Sequence, residues 1–292
     1  MTNLIRAALV WSLWQTPDIS VNVDLVVVHT TVRDSHKQLV NDLTQPDFQI
    51  YEDGVRQRIK VFQHEDVPLT VGLVIDHSGS MRRKMPDVVE AARRFVQSSR
   101  PDDQMFVVNF NENVTLGLSS FSNRADELAG AISHTAATGQ TALYDAIIVA
   151  LNQAKLGSRD KRVLVVVSDG GDNRSRHTLD DVLKAAEQTS TLIYAIGIFE
   201  PDDPDKNPVV LRNLAKSTGG EAYFPKHLAA VIEDCERVAQ DLRRQYVIGY
   251  VSSRSSEPGV RRRILVKASM AGRGSLDVRA RAGYVTPDRL IK

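Results

Sequence analysis

Between Leu69 and about Ala222 the chain alternates two hydrophobic periods. Short, almost wholly apolar runs (VGLVI, MFVVNF, RVLVVVS and TLIYAIGI) are separated by stretches in which apolar positions recur at helical spacing, as at Val88, Val89, Ala92, Phe95 and Val96, and at Leu143, Ile147, Ala150, Leu151 and Ala154. A strand with no polar alternation is covered on both faces, and strands that alternate with helices pair in parallel. The pattern therefore predicts an α/β fold, a doubly wound and mostly parallel sheet with helices on both faces. Outside this stretch the period falls to two. ISVNVDLVVVHTTV is rich in β-branched residues, and FQIYEDGVRQRIKVF alternates on both sides of Asp53-Gly54, a hairpin signal. A helical stripe through Leu228, Val231, Ile232, Cys235, Val238, Ala239 and Leu242 leads to further strand patterns, QYVIGYV, RRRILVKA and SLDVRARAGYV, with Pro258-Gly259 as a turn between the first two. Neither end offers enough strands for a sheet of its own, so the two are expected to pair into one small β-sandwich beside the central domain. The expected organisation is a signal-like or disordered segment over 1–18, the two parts of a β accessory domain over 19–68 and 245–292, and the α/β domain over 69–244.

Composition narrows the function classes. The 292 residues carry 37 Lys plus Arg against 36 Asp plus Glu, a formal charge of +1. No net field favours nucleic acid or an anionic membrane. The run Arg261-Arg262-Arg263 has no aromatic interleaving and reads as a solvated strand start or edge. The single cysteine, Cys235, excludes an intrachain disulfide framework and a cysteine-based zinc site; on its helical stripe it reads as a small core residue. Arg6 followed by the apolar run from Ala7 to Trp14 resembles a short secretion signal, too short for a bilayer span of about 20 residues. Export to the periplasm, cell surface or medium is the expectation, with a cytoplasmic location as its competitor, and no integral membrane span is expected.

The candidate chemistry lies at the strand ends. LVIDHSGSM runs a buried strand into Asp76, Ser78 and Ser80, and RVLVVVSDG ends in the same way at Asp169. Ligands bind beyond the carboxyl ends of such strands, where the winding reverses, so neighbouring strands would bring the two carboxylates together. TGQTALYDA places Thr141 on a loop before a helical stripe, at the same rim. Asp76, Ser78, Ser80, Thr141 and Asp169 are two carboxylates and three hydroxyls, an all-oxygen set that suits a hard cation; Mg²⁺ is expected, with Mn²⁺ or Ca²⁺ as alternatives. The competing reading has Asp76 and Ser80 capping a helix and Asp169 in a turn.

DHSGSM, TGQT and SDGGDN, in that order, resemble the three segments of the metal-ion-dependent adhesion site (MIDAS) of von Willebrand factor type A domains. The resemblance covers about Leu69 to Arg244. It implies a doubly wound α/β domain in which Asp76 and Asp169 hold the metal largely through water, Ser78, Ser80 and Thr141 coordinate it, and a partner's carboxylate completes the shell. The flanking YEDGVRQ, QYVIGYV and RARAGY resemble the end segments of bacterial VWFA-related proteins. Alternation points His77 away from the metal as an exposed spacer. Asp172 and Asn173 fit either a role behind the ligands or an Asx-type turn, and Asp145, early in a helix, suits the helix dipole and is placed to orient the Thr141 loop.

The expected function is a non-enzymatic, metal-dependent protein-binding module for adhesion or assembly, whose partner presents an Asp or Glu carboxylate. One alternative is an extracytoplasmic assembly protein in which the metal only staples loops. Another is a Mg²⁺-dependent hydrolase or phosphotransferase with Asp76 as nucleophile. The sequence lacks an Asp-x-Asp pair after the first central strand, a phosphate loop and a Gly-x-Ser-x-Gly elbow, and shows no base beside Ser78 or Ser80.

Overall fold

The computed structural model describes residues 25–64, 66–199, 204–254 and 257–286, so the signal-like reading of residues 1–18 lies outside the described residues. The elements follow in the order β1 (Leu25–Arg33), β2 (Phe48–Glu52), β3 (Val55–Gln57), β4 (Ile59–Gln63), β5 (Leu69–Asp76), α1 (Met85–Gln97), β6 (Gln104–Phe110), β7 (Val114–Leu116), α2 (Ala125–Ser133) and α3 (Leu143–Ala154). The second half runs β8 (Lys161–Ser168), α4 (Leu179–Thr189), β9 (Leu192–Gly197), α5 (Pro208–Thr218), β10 (Ala222–Tyr223), α6 (Leu228–Arg243), β11 (Tyr246–Val251), β12 (Arg261–Ala268), β13 (Asp277–Ala280) and β14 (Gly283–Val285).

The apolar runs form the centre of a six-stranded sheet in the order β10-β9-β8-β5-β6-β7, parallel except at the β7 edge. Every residue of β5 is buried, because its alternate side chains enter two different cores. Leu73 and Ile75 pack with Val88, Phe95, Val165, Val231 and Cys235 under α1, α2 and α6. Val74 packs with Phe106, Ile147, Leu151, Leu164 and Leu214 under α3, α4 and α5. The Cys235 thiol is pushed up to about 12 by burial and then by the Asp234 charge, as befits a core residue. From β5 the chain winds to β6 on one side and later to β8 on the other, so the reversal lies between β5 and β8.

The terminal strands form two antiparallel four-stranded sheets, β13-β1-β11-β4 and β14-β12-β2-β3, and each sheet takes strands from both ends of the chain. β1 pairs β11 from Leu25↔Val251 to Thr30↔Tyr246, and β12 pairs β2 from Ile264↔Glu52 to Ala268↔Phe48. Their inner faces share one core that includes Val28, Phe48, Ile50, Tyr246, Ile248, Tyr250 and Val266. The buried Glu52 carboxylate in this core accepts from Tyr250 Oη at 2.8 Å, Tyr284 Oη at 2.9 Å and Ser252 Oγ at 2.5 Å, which satisfies a group that is otherwise costly to bury. The Asp53-Gly54 hairpin forms with both residues at positive φ, 47° and 83°. The second arm of that hairpin does not stay in one sheet. Its last pair with β2 is Ile50↔Gln57; after Arg58 the chain joins the other sheet as β4.

The β unit sits against the amino ends of the central strands. Arg33 and Arg279 both reach Asp241 at 2.7 Å and Arg261 reaches Glu187 at 2.7 Å; at the same end, within the α/β unit, Lys161 Nζ donates to the Leu242 carbonyl at 2.6 Å. β12 lies inside its sheet, so the arginine run is a strand start but not an edge. Arg261 and Arg262 are ion-paired, with Glu187 and Asp53, and Arg263 is exposed. The carboxyl ends of the central strands, at the far end of the sheet, are left uncovered by this unit.

Candidate functional site

Asp76 closes β5 and Asp169 follows β8, on either side of the winding reversal. Both are buried. Ser80 Oγ donates to Asp169 Oδ2 at 2.5 Å, Ser78 Oγ lies 3.1 Å from Ser80 Oγ, and Asp76 Oδ1 accepts from Ser78 N at 2.8 Å. Four of the five sequence-predicted residues are therefore linked by hydrogen bonds. Burial first, and the neighbouring Asp169 charge second, push the Asp76 carboxyl up to about 6.

Thr141, also buried, belongs to the third loop and is fixed through its backbone. Its N–H donates to Asn173 Oδ1 at 2.9 Å, and its carbonyl accepts from Asn173 N and Arg174 N, both at 3.0 Å. Two further bonds tie this loop to the first: Gly79 N to Gly139 O at 3.1 Å and Thr138 N to His77 O at 2.8 Å. Gly139 has φ +81°, and a Cβ there would run into the Glu112 carboxylate, which accepts from Gln140 N at 2.8 Å. A side chain at 139 would disturb both the turn and its anchor.

Several neighbours differ from the sequence reading. His77 is fully buried rather than exposed. Its N–H continues the β5–β6 pairing by donating to Phe110 O at 2.6 Å, and its Nε2 lies 3.1 Å from Asn109 Oδ1, which fills the side facing β6. Asp145 holds the loop after Asp169 rather than the Thr141 loop, accepting from Arg176 N at 3.1 Å, His177 N at 3.0 Å and His177 Nδ1 at 2.7 Å. Asp172 makes the expected local turn, accepting from Ser175 Oγ at 2.6 Å, and also crosses to Tyr144 N at 2.9 Å. Ser168, absent from the sequence-predicted set, donates to Asp76 Oδ2 at 2.6 Å while accepting from Gly170 N at 3.0 Å. As the last residue of β8, one position before Asp169, it could have been flagged by position but not by type.

Among the described residues no group of three or more His, Cys, Asp or Glu side chains is arranged to hold a metal ion. A site here must rest on two carboxylates and three hydroxyls, all oxygen, which is a hard-cation set and a poor one for soft metals.

Comparison with known proteins gives a consistent fold. The family profile described as von Willebrand factor type A domain matches residues 70–242. The curated mouse (Mus musculus) protein inter-alpha-trypsin inhibitor heavy chain H2 is 29% identical over 154 residues, 47% of this chain; the match spans 16% of that protein's length. Among solved structures, von Willebrand factor type A from Catenulispora acidiphila aligns over 92% of this chain and 76% of its own with a TM-score of 0.53 at 15% identity. Proximal thread matrix protein 1 from the mussel byssus, in a structure described as having a zinc-occupied MIDAS motif, aligns over 65% of this chain and 49% of its own, with a TM-score of 0.52 at 19% identity.

Proposed function

From the premise that the chain belongs to the von Willebrand factor type A domain family, we propose that it is a protein-binding module for adhesion or assembly, one that holds a divalent cation at Asp76, Ser78, Ser80, Thr141 and Asp169. The observation that carries this reading is the juxtaposition of Asp76 and Asp169. Two carboxylates buried side by side raise each other's cost of ionisation, and a cation between them offsets that cost. Ser78 and Ser80 supply neutral oxygens beside them, and the Thr141 loop is pinned at the same rim. The donor set fits Mg²⁺, with Mn²⁺ or Ca²⁺ as alternatives; the zinc in the mussel-protein structure supports divalent occupancy of such a motif in this fold.

When bound, the cation supplies a positive centre that attracts an anionic oxygen more strongly than water. Three of the five ligands are neutral, so an Asp or Glu carboxylate from a partner protein is the ligand best suited to complete the shell. The reading needs no catalytic step; the Asp169 carboxylate that accepts from Ser80 Oγ is itself one of the proposed ligands. It fits an exported protein, and among the described residues no helix is long and apolar enough to cross a membrane.

The test is thermal unfolding of the full chain in chelator and with added Mg²⁺, alongside calorimetric metal titration of the chain and of Asp76→Ala. A cation that binds only the folded state at a hundredfold excess over its dissociation constant adds about 2.7 kcal/mol. Equal metal uptake by Asp76→Ala, or an unchanged melting curve, would sink the site. Pull-downs with and without chelator then separate recognition from stapling: a stapling metal changes stability but leaves partner capture by the folded protein intact.

A further inference from the structure

The β unit keeps an apolar patch on its outer surface. In the sheet β13-β1-β11-β4, Val26, Val28 and Val32 of β1 and Tyr246, Ile248 and Tyr250 of β11 point into the shared core. Side chains alternate along a strand, so Leu25, Val27, His29 and Arg33, with Gly249 and Val251 of β11, point to the opposite face. At its Arg33 end this face docks on the α/β unit, where Arg33 reaches Asp241. At its Leu25 end it is open. Leu25 is 43% exposed, its cross-strand partner Val251 is 36% exposed, and Val27 and Val61 are half-buried. Val61 of β4 pairs with Gly249, over which Val61 and Leu25 lean together: a Cβ on Gly249 would lie 2.9 Å from Val61 Cβ and 3.3 Å from Leu25 Cδ1. Scattered exposed apolar side chains are ordinary, but a contiguous patch across adjacent strands marks a surface that something covers.

The chain itself supplies the occupant. The described residues begin at Leu25, inside the patch, and the apolar run from Ala7 to Trp14, polar only at Ser12, lies a short way ahead of it. The connection from Gln15 to Asp24 can reach about 35 Å when extended. The patch, from β1 across β11 to β4, spans two strand spacings, about 10 Å. A tether of this length holds the run near the patch at an effective concentration of about a millimolar, above what a second copy reaches in dilute solution. We propose that the Ala7–Trp14 run packs on Leu25, Val27, Val61 and Val251, with the Trp11 and Trp14 indoles as its main contacts, and that loss of the run uncovers the patch for association. A secretion signal and a docking segment are compatible roles: the run covers the patch for as long as it stays on the chain.

The chain has two tryptophans, Trp11 and Trp14, so tryptophan emission from the full chain reports the surroundings of this run alone. The expected emission is blue-shifted, poorly quenched by acrylamide and independent of protein concentration. In Leu25→Lys with Val251→Glu it shifts to the red and is quenched freely. The opposite charges across the strand pair keep the sheet together, and unchanged far-ultraviolet circular dichroism and melting curve show that the fold is intact. Should the double variant unfold, Val251→Thr, which a strand tolerates, gives the same readout in smaller measure. Deleting residues 1–18 should add binding of the dye anilinonaphthalene sulfonate, and the double substitution in the shortened chain should remove it. Freely quenched emission from the folded full chain overturns the proposal, as does deletion without any gain in dye binding. Protected emission that survives the substitutions places the run elsewhere and overturns it too. Protection that grows with protein concentration does the same, by making the occupant a second copy.

Discussion

Ser168 Oγ stands between a strand-end carboxylate and the turn that follows, donating to Asp76 Oδ2 and accepting from Gly170 N. Replacing it with alanine leaves a buried acceptor and a buried donor without a partner, each worth about 1 to 3 kcal/mol. Ser168→Ala is therefore expected to lower stability in urea denaturation by a few kcal/mol in chelator and to weaken Mg²⁺ binding by calorimetry, since Asp76 loses the bond that aims it. Unchanged stability and unchanged metal affinity would show that Ser168 has no hold on Asp76. Thr141→Ala is expected to act in the opposite way, because its loop is held by backbone groups and, among the described residues, its hydroxyl makes no hydrogen bond. The fold persists, and once a partner is identified its affinity falls by about 2 to 5 kcal/mol, as for loss of a charge-assisted contact at the rim; full affinity in a titration with Mg²⁺ would remove Thr141 from the recognition surface. The five candidate ligands were legible because residue type and spacing carry the donor chemistry. Ser168 and His77 were not. A strand's last serine looks like any other, and the burial of His77 depends on β5–β6 pairing running one residue past Asp76, toward Asn109, which no local pattern encodes.

At the scale of elements, long periodic segments were readable and short ones were not. β5, β6, β8 and β9 announce themselves as apolar runs, and α1, α3 and α6 as helical stripes. The three-residue β3 and β7 and the two-residue β10 owe their existence to neighbours, and the break between β3 and β4 is a change of sheet in a sequence that alternates without interruption. The pairing of the two chain ends followed from a count: too few strands at either end to make a sheet. That interdependence yields a prediction. Removing residues 246–292 takes away β11, β12, β13 and β14, which leaves β1 and β4 with no partner and only the β2–β3 hairpin paired. It also strips Tyr246, Ile248, Tyr250, Ile264, Val266 and Tyr284 from the shared core. An isolated hairpin is marginal in water. Limited proteolysis of the truncated chain should cut within residues 25–62 while a fragment containing 69–243 survives. Equal resistance of both regions would mean that the N-terminal strands hold together without their C-terminal partners.

The molecule as a whole is an α/β unit with an open rim at one end and a β unit docked at the other, and the seam between them is rich in cations. His29 of β1 faces Lys161 at the start of β8 and Arg281 between β13 and β14, and its Nδ1 is shut off from solvent with no hydrogen-bond partner among the described residues. Burial, then the Lys161 charge, then the Arg281 charge, hold its imidazole down at about 3 against an ordinary 6.5. Between those values the unfolded chain binds a proton that the folded chain refuses, so stability falls as pH falls below 6.5, by up to about 1.4 kcal/mol per pH unit. Lys161 acts in the same direction over a higher window. Burial, reinforced by Arg243 and opposed by Asp66 and Asp103, lowers its ammonium from 10.5 to about 7, so the folded chain sheds a proton that the unfolded chain keeps, and stability rises with pH from about 7 to 10.5. Acid thus weakens the seam on both counts. His29→Gln removes the lower window and leaves the upper one. In urea denaturation followed by circular dichroism from pH 7.5 to 4.5, the wild-type chain should lose stability relative to His29→Gln steadily below pH 6.5. Lys161→Met should flatten the rise above pH 7 by the same logic. Parallel pH curves for the wild-type chain and His29→Gln would mean that the imidazole takes up its proton in the folded state, with the seam opening locally to admit water beside Lys161 and Arg281.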